Sequence, residues 1–312
     1  MPRYVVLRIS QAVVTLLLLV TAVFVLVRLA PGDPAAAMVG PQATNAQLDA
    51  MRAEMGLDKS IFRQYLMFIG NVAHGDLGES VSYGRPAATV VLERVPYSLL
   101  LASAAMLIAV LIAVPLGIFM ARSEDSVFDT AASMLTIGGQ SLPDFWLGIM
   151  LIFGFAVTFP IFPTSGFQSW SALVLPATTV AVLQLAVIAR VVRSEMVTTL
   201  HTPYVARARG QGMSEWGLTS QVALKNSAVP VVTAIGTRFA SLVNGVVVIE
   251  VVFSWPGLGS LVVQALQDRD YALIQAAVVI SAALTMTFQL LVDLSYPLLD
   301  PRIRLGKASE RT

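Results

Sequence analysis

The sequence predicts an all-α, polytopic membrane protein with six transmembrane helices. Three observations carry that expectation. Of 312 residues, 56% are hydrophobic and only 12% charged, whereas soluble domains carry roughly 25% charged residues and need them for their surface. The apolar residues are gathered into six long runs, each near the ~20 residues a spanning helix requires. The basic residues fall in alternate connecting segments, the bias that orients membrane proteins. A net charge of +1 gives no reason to expect nucleic acid; the expected surroundings are a lipid bilayer.

The first run covers 9–29 and follows Arg3 and Arg8. A signal peptide also opens with basic residues, but its apolar core is only about 7–15 residues. This one is longer and reaches Arg28 without a small-residue cleavage site. Residues 1–29 therefore read as an uncleaved first span. Residues 30–96 form the one long polar region, an extracytoplasmic stretch of short helices. Pro31-Gly32-Asp33-Pro34 stops the first helix. Thr44 and Gln47 have the spacing of a capping box, with Leu48, Met51 and Met55 on one face of a helix ending at Gly56. Ser60 is placed to cap a second helix carrying Ile61, Tyr65, Leu66 and Ile69, closing at Gly70. Gly75-Asp76-Leu77-Gly78 reads as a turn, and residues 86–95 as a third amphipathic helix feeding the next span. The carboxylates here (Asp49, Glu54, Asp58, Asp76, Glu79, Glu93) read as a solvated surface.

Residues 97–300 hold the remaining runs, at 97–121, 134–159, 173–192, 229–253 and 274–299. Pro115, Gly117 and Pro143 fall within them and are tolerated where neighbouring helices satisfy freed backbone groups. Arg190, Arg193, Arg207, Arg209 and Lys225 cluster between the fourth and fifth runs, and Arg302, Arg304, Lys307 and Arg311 follow the sixth. The connection at 160–172 carries no charge. Both termini, including the tail 301–312, and the loop region 195–228 are thus expected on the cytoplasmic side. The connection at 122–129 falls on that side too, although Arg122 is its one basic residue, against Glu124, Asp125 and Asp129.

Within 195–228, Thr202 followed by Pro203 marks a helix start, because Pro at the first helical position loses only an amide that had no intrahelical partner. A short helix is expected over 203–209. Gly210 and Gly212 permit the positive φ of a helix end and tight turn. Ser214 can cap a following helix, with Glu215 in its first turn where the macrodipole favours an anion. The expectation is helix, turn, helix, with the polar, basic stretch 202–214 lying between two long apolar runs.

Several chemistries are excluded or disfavoured. The chain has no Cys, so disulfides, thiolate metal sites and Cys nucleophiles are out. Its two histidines, His74 and His201, stand far apart in sequence, so no metal site is expected. An intramembrane protease would need paired Asp, a Ser–His pair or a His/Glu metal motif within the spans, and no His lies there. No Gly-x-x-x-x-Gly-Lys-Ser/Thr phosphate loop occurs. No catalytic residue, metal or cofactor site is expected in this chain.

The order of motifs then resembles one family throughout the chain. Leu29-Ala30-Pro31-Gly32-Asp33-Pro34, Met55-Gly56-Leu57-Asp58, Gly75-Asp76-Leu77-Gly78-Glu79-Ser80 and Arg94-Val95-Pro96-Tyr97-Ser98-Leu99 stand in its first third. Tyr204-Val205-Ala206-Arg207-Ala208-Arg209-Gly210-Gln211-Gly212 follows, then Lys225-Asn226-Ser227-Ala228-Val229-Pro230 and Val251-Val252-Phe253-Ser254-Trp255-Pro256-Gly257-Leu258-Gly259. Arg269-Asp270-Tyr271 and Asp300-Pro301-Arg302-Ile303-Arg304 complete the set. This resembles the permease subunit of the dipeptide/oligopeptide/nickel ABC importers. The central loop departs from the general importer signature: only Ala208 and Gly212 align cleanly, and Gln211 stands where this branch often carries Lys.

The resemblance implies a type I ABC importer permease fold and an ATP-driven import pathway for di- or oligopeptides. It implies a second homologous permease, two ATPase subunits carrying ATP and Mg, and an extracytoplasmic substrate-binding protein. The ATPase-coupling loop would comprise Tyr204, Ala206, Arg207, Ala208, Arg209, Gly210, Gly212 and Ser214. Pathway or gate candidates are Glu250, Asn244, Trp255 and Arg238. Intramembrane charge is expensive and faces protein or water. Glu250 could meet a peptide's amino group or serve packing; Arg238 and Asp293 read as braces near the cytoplasmic ends. Asn244, Gln184 and Gln289 are candidates for interhelical hydrogen bonds. Trp146, Trp170 and Trp255 fall near span ends, where indole rings settle among headgroups. The alternatives are import of nickel or another small solute, and an ion-coupled secondary transporter. The latter favours broken spans in matching halves with midplane carboxylates, and no internal repeat is visible.

Overall fold

The computed structural model describes residues 2–29, 34–39, 43–54 and 56–299. The predicted helix stop at 30–33, Met55 and the tail beyond 299 lie outside the described residues. Helix α1 is Pro2–Leu29, and the outer helices are α2 (Pro34–Val39), α3 (Asn45–Glu54) and α4 (Ile61–Ala73). Strands β1 (Glu79–Ser80) and β2 (Arg85–Pro86) pair antiparallel, Glu79 opposite Pro86. Then come α5 (Ala87–Arg122), α6 (Val127–Ser141), α7 (Asp144–Ile152) and α8 (Val174–Leu200). Next are α9 (Pro203–Gly210), α10 (Glu215–Gly217) and α11 (Leu224–Gly245). The last described elements are α12 (Val247–Val252), α13 (Leu258–Gln267) and α14 (Tyr271–Leu299).

Among the described residues, four helical stretches are long and apolar enough to cross a membrane: Val6–Leu26, Ala87–Arg122, Trp170–Leu200 and Tyr271–Ser295. Helices α6 and α7, meeting at 94°, can together make a fifth. The predicted third span is thus a bent pair. Leu142 precedes Pro143 and takes an extended conformation (φ −77°, ψ 132°), because the proline ring disfavours the helical region for the residue before it. The predicted fifth span is interrupted as well: helix α11 ends at Gly245, and Val246 separates it from α12. By contrast α5 is longer than expected. The amphipathic segment 86–95 runs without a break into the second span, through Pro96 and Pro115.

The centre of the bundle is the packing of α5 against α8. Ala102, Ala105, Ala109 and Ala113 of α5 are buried at near-helical spacing beside Ala177, Ala181, Ile188 and Ala189 of α8. Small residues let helices approach closely where dispersion rather than water-driven burial holds them. Gly117 is the extreme: a Cβ there would sit 2.7 Å from the Ala189 carbonyl oxygen and from Val192 Cβ. Outward-facing Leu18, Leu26, Leu107 and Leu111 are exposed, the face such a bundle gives to lipid.

The outer region is tied down at two places. The capping box forms as expected, with the Thr44 amide donating to Gln47 Oε1 at 2.9 Å and the Gln47 amide to Thr44 Oγ1 at 3.4 Å. Ser60 occupies the N-cap of α4 without a side-chain bond, and the helix passes through Gly70 to Ala73. From α4, Tyr65 shares a 2.8 Å hydrogen bond with Thr21 of α1 and meets the Phe24 ring edge-on. The hairpin is fastened to the start of α14. Buried Asp270 accepts from Ser80 Oγ at 2.5 Å, from the Ser82 amide at 3.0 Å and from the Leu273 amide at 3.1 Å.

Candidate functional site

At one end of the bundle, α8 gives way to the helix–turn–helix read from the sequence. Thr202 is the N-cap of α9 with Pro203 at the first helical position. Its hydroxyl, however, donates backward to the Thr199 carbonyl at 2.6 Å instead of capping forward. The helix continues one residue further than expected, so Gly210 is its last helical residue and not the turn. Gly212 alone carries the left-handed conformation (φ +88°). Its turn closes through Gly212 N to Arg209 O at 3.0 Å and Met213 N to Ala208 O at 3.2 Å. Ser214 caps the second limb as predicted, accepting from the Gly217 amide at 3.2 Å.

The two limbs are clasped. Arg209 donates from Nε to Glu215 Oε1 at 2.7 Å and from Nη2 to Oε2 at 3.1 Å, the bidentate geometry that makes such pairs directional. That hydrogen bond holds the Glu215 carboxyl below its ordinary range. Arg209, expected in the coupling loop, stays exposed while it makes this pair across the turn. Of the segment, Val205 is fully buried and Ala208 half-buried, while Tyr204, Ala206, Arg207, Arg209, Gly210, Gly212, Met213, Ser214 and Trp216 are exposed. Beyond α10 a π-helical turn, Leu218–Ala223, leads into α11 with Leu218, Thr219 and Ala223 buried. Thr199 of α8 and Ser227 of α11 share a buried 3.1 Å hydrogen bond. The result is a short polar bracket, stiffened across its turn and rooted in two spans.

The pathway candidates are distributed. Glu250 is buried at the opposite end, where its carboxylate accepts from Ser98 Oγ of α5 at 2.6 Å and from the Ser260 amide at 3.0 Å. Ser98 Oγ in turn accepts from the Leu258 amide at 2.8 Å. Gly257 lies against the carboxylate: a Cβ there would stand 2.1 Å from Glu250 Oε1. Trp255 is not a surface ring open to headgroups. It is 1% exposed, its Nε1 donates to the Tyr97 carbonyl at 3.0 Å, and its ring meets Phe167 edge-on. Its indole has a hydrogen-bond acceptor inside the protein, which removes the reason to seek the interface. Phe253 accepts from the Gly166 amide at 2.8 Å. Ser98, 152 residues from Glu250, stood in one of the family's motifs but had no assigned partner.

Arg238 is exposed on α11, and the side chain of Asn244 lies outside the described residues. Trp146 and Trp170 are exposed. Asp293 pairs with Arg8 of α1 at 3.3 Å, bracing the first and last spans beside an open cavity of about 430 Å³ that Gln11, Thr15 and Gln289 also line. Gln184 Oε1 is buried without a partner. Among the described residues no group of three His, Asp or Glu side chains is placed to hold a metal.

An apolar helical bundle presenting a stiff helix–turn–helix at one end is built as the membrane-embedded part of a transport system. Two family models match, the binding-protein-dependent transport system inner membrane component over residues 113–305 and its N-terminal model over 1–102, and the chain belongs to that family. It is 32% identical over 306 residues to the dipeptide transport system permease protein of Lactococcus lactis, covering 98% of this chain and all of the relative. It is 35% identical over 304 residues to the glutathione transport system permease protein of Escherichia coli, covering 97% and 99%. To the oligopeptide transport system permease protein of Bacillus subtilis it is 33% identical over 314 residues, again 97% and 99%. Two solved structures share the fold. A methionine ABC transporter in inward-facing conformations superposes with TM-score 0.58 at 18% identity, over 68% of this chain and 96% of that one. An amino acid ABC transporter with histidines gives 0.55 at 17%, over 67% and 94%.

Proposed function

We propose that this chain is the permease subunit of an ATP-driven importer of di- or oligopeptides, forming part of the translocation pathway. In this reading it crosses the membrane six times: α1, α5, the bent pair α6–α7, α8, the interrupted pair α11–α12, and α14. Both termini and the bracket lie on the cytoplasmic side. A second, homologous permease completes the pathway, two ATPase subunits carrying ATP and Mg bind below, and an extracytoplasmic binding protein delivers substrate. The observation that carries the reading is the bracket itself. A helix–turn–helix clasped by Arg209 and Glu215, rooted in α8 and α11 and exposed over nearly all of 203–216, can be seized and displaced as a unit. The peptide substrate follows from the dipeptide, glutathione and oligopeptide systems of its relatives.

The absence of native Cys gives a clean test. A single cysteine at Arg207, in the complex purified through a tag on this chain, is expected to crosslink to a subunit that also photolabels with ATP. Proteoliposomes holding the complex and its binding protein should accumulate labelled dipeptides only with ATP. Uptake driven by an ion gradient in the absence of ATP would refute the proposal in favour of a secondary transporter.

A further inference from the structure

The corner between α5 and α6, which carries Glu124 and Asp125 after Arg122, drew no functional expectation, yet it touches the second limb of the bracket and the residue that leads into its first. At the end of α5, the Arg122 guanidinium lies over the Trp216 ring of α10, 5.8 Å from its centroid. Glu124 Oε2 stands 3.4 Å from Nε2 of His201, the residue just before the α9 N-cap. Asp125 takes a left-handed conformation (φ +60°), and its amide donates to Asp129 Oδ2 at 3.2 Å. Ser126 caps α6 by accepting from the Asp129 amide at 3.1 Å. Asp129 is 3% exposed. It receives both arms of the Arg193 fork from α8, Nε to Oδ1 at 2.6 Å and Nη2 to Oδ2 at 2.5 Å. Arg190 of α8 reaches Gln140 near the far end of α6.

What α6 does next gives this corner its meaning. It turns through 94° into α7. There Gly148 lies against the Phe253 ring, so close that a Cβ would meet Cε2 at 3.1 Å. Phe253 follows α12, whose Glu250 is held by Ser98 and Ser260. A continuous packed route thus runs from the bracket, through the corner and the bent pair, to the buried carboxylate at the other end. A bidentate charged pair fixes distance and direction at once. With its carboxylate buried, removing either partner leaves an uncompensated charge, which is strongly destabilising.

Resting on the reading that force enters at the bracket, we propose that Asp129 and Arg193 are positioning residues that couple bracket displacement to α6–α7, through a corner gripped by Trp216 and His201. The test uses the assembled complex in proteoliposomes. Spin labels are placed in the Cys-free chain on exposed Leu111 of α5, Leu135 of α6 and Met213 of the bracket. In the unmodified protein, ATP should change both the Leu111–Met213 and the Leu111–Leu135 distances. In Asp129→Asn the Met213 change should persist while the Leu135 change collapses, and peptide uptake per ATP hydrolysed should fall several-fold. Asp129→Glu should restore both. An undiminished Leu135 change in Asp129→Asn overturns the proposal. Should that variant not assemble, Trp216→Ala with Glu124→Gln cuts the other ties near the surface. The same partial loss there supports the coupling, and a Leu135 change equal to the unmodified protein's overturns it. A Met213 distance that ignores ATP in the unmodified complex would instead sink the reading of the bracket.

Discussion

Replacing Gly257 by alanine isolates the contribution of the Glu250 anchorage. The backbone there (φ −97°, ψ −175°) suits any L-residue, so the substitution acts through space alone. The new methyl carbon would lie 2.1 Å from Glu250 Oε1, 2.3 Å from Cδ and 2.5 Å from Oε2. A carboxylate at the end of a flexible side chain would ordinarily swing aside. This one is buried and receives hydrogen bonds from Ser98 Oγ and the Ser260 amide, and swinging aside breaks them. Hydrogen bonds to charged groups contribute roughly 1.5–3 kcal/mol each. Losing one fully and straining the other therefore costs about 3 kcal/mol. The assay is thermal melting of the detergent-solubilised protein. Gly138→Ala is the control, since nothing lies within 4 Å of a Cβ there and alanine in a helix interior should stabilise by about 0.5–1 kcal/mol. Gly257→Ala should melt well below the parent and Gly138→Ala at or above it. If Gly257→Ala melts with the parent, the carboxylate is not anchored as described.

Three further outcomes are expected. Gly212→Val meets no steric neighbour, so its whole effect is the left-handed backbone, roughly 1–2 kcal/mol against a β-branched residue; the bracket turn should open, leaving membrane insertion intact but peptide uptake per ATP hydrolysed much reduced in proteoliposomes. Gly117→Val should lower the melting temperature through overpacking of about 1–3 kcal/mol, and adding Val192→Ala should recover only part of it, because the Ala189 carbonyl oxygen is as close as the Val192 side chain. Asp270→Ala should release the hairpin at 79–86 from the start of α14, read as faster protease cleavage in that segment while the α5–α8 core keeps its resistance.

Local chemistry was legible in the sequence, and long-range pairing was not. Pro203, Gly212, Ser214 and Glu215 each have a preference settled within one helical turn, and the bracket forms from them nearly as read. The Thr44–Gln47 box forms for the same reason. Where two glycines stood close together, Gly210 and Gly212, composition did not choose between them; the hydrogen bonds of the turn placed the positive φ at Gly212. Span continuity was harder, since it depends on neighbours. Pro96 and Pro115 are absorbed into α5, yet Pro143 ends α6 at Ser141 and begins α7. The ties between Ser98 and Glu250, Ser80 and Asp270, or Asp129 and Arg193 join residues 152, 190 and 64 positions apart. No periodicity encodes such partners, so the carboxylates could be noticed but not assigned. Trp255 shows the same limit: its place near a span end suggested a headgroup ring, and only folding brings the Tyr97 carbonyl to its indole.

Val205 is the sole fully buried side chain between Pro203 and Trp216. A bracket seated on one valine keeps two duties apart. Exposed side chains of the bracket can be rewritten without disturbing how the bundle packs, while the peg beneath them sets where the bracket sits. The chemistry of the exposed face and the integrity of the helical bundle are thereby free to vary independently.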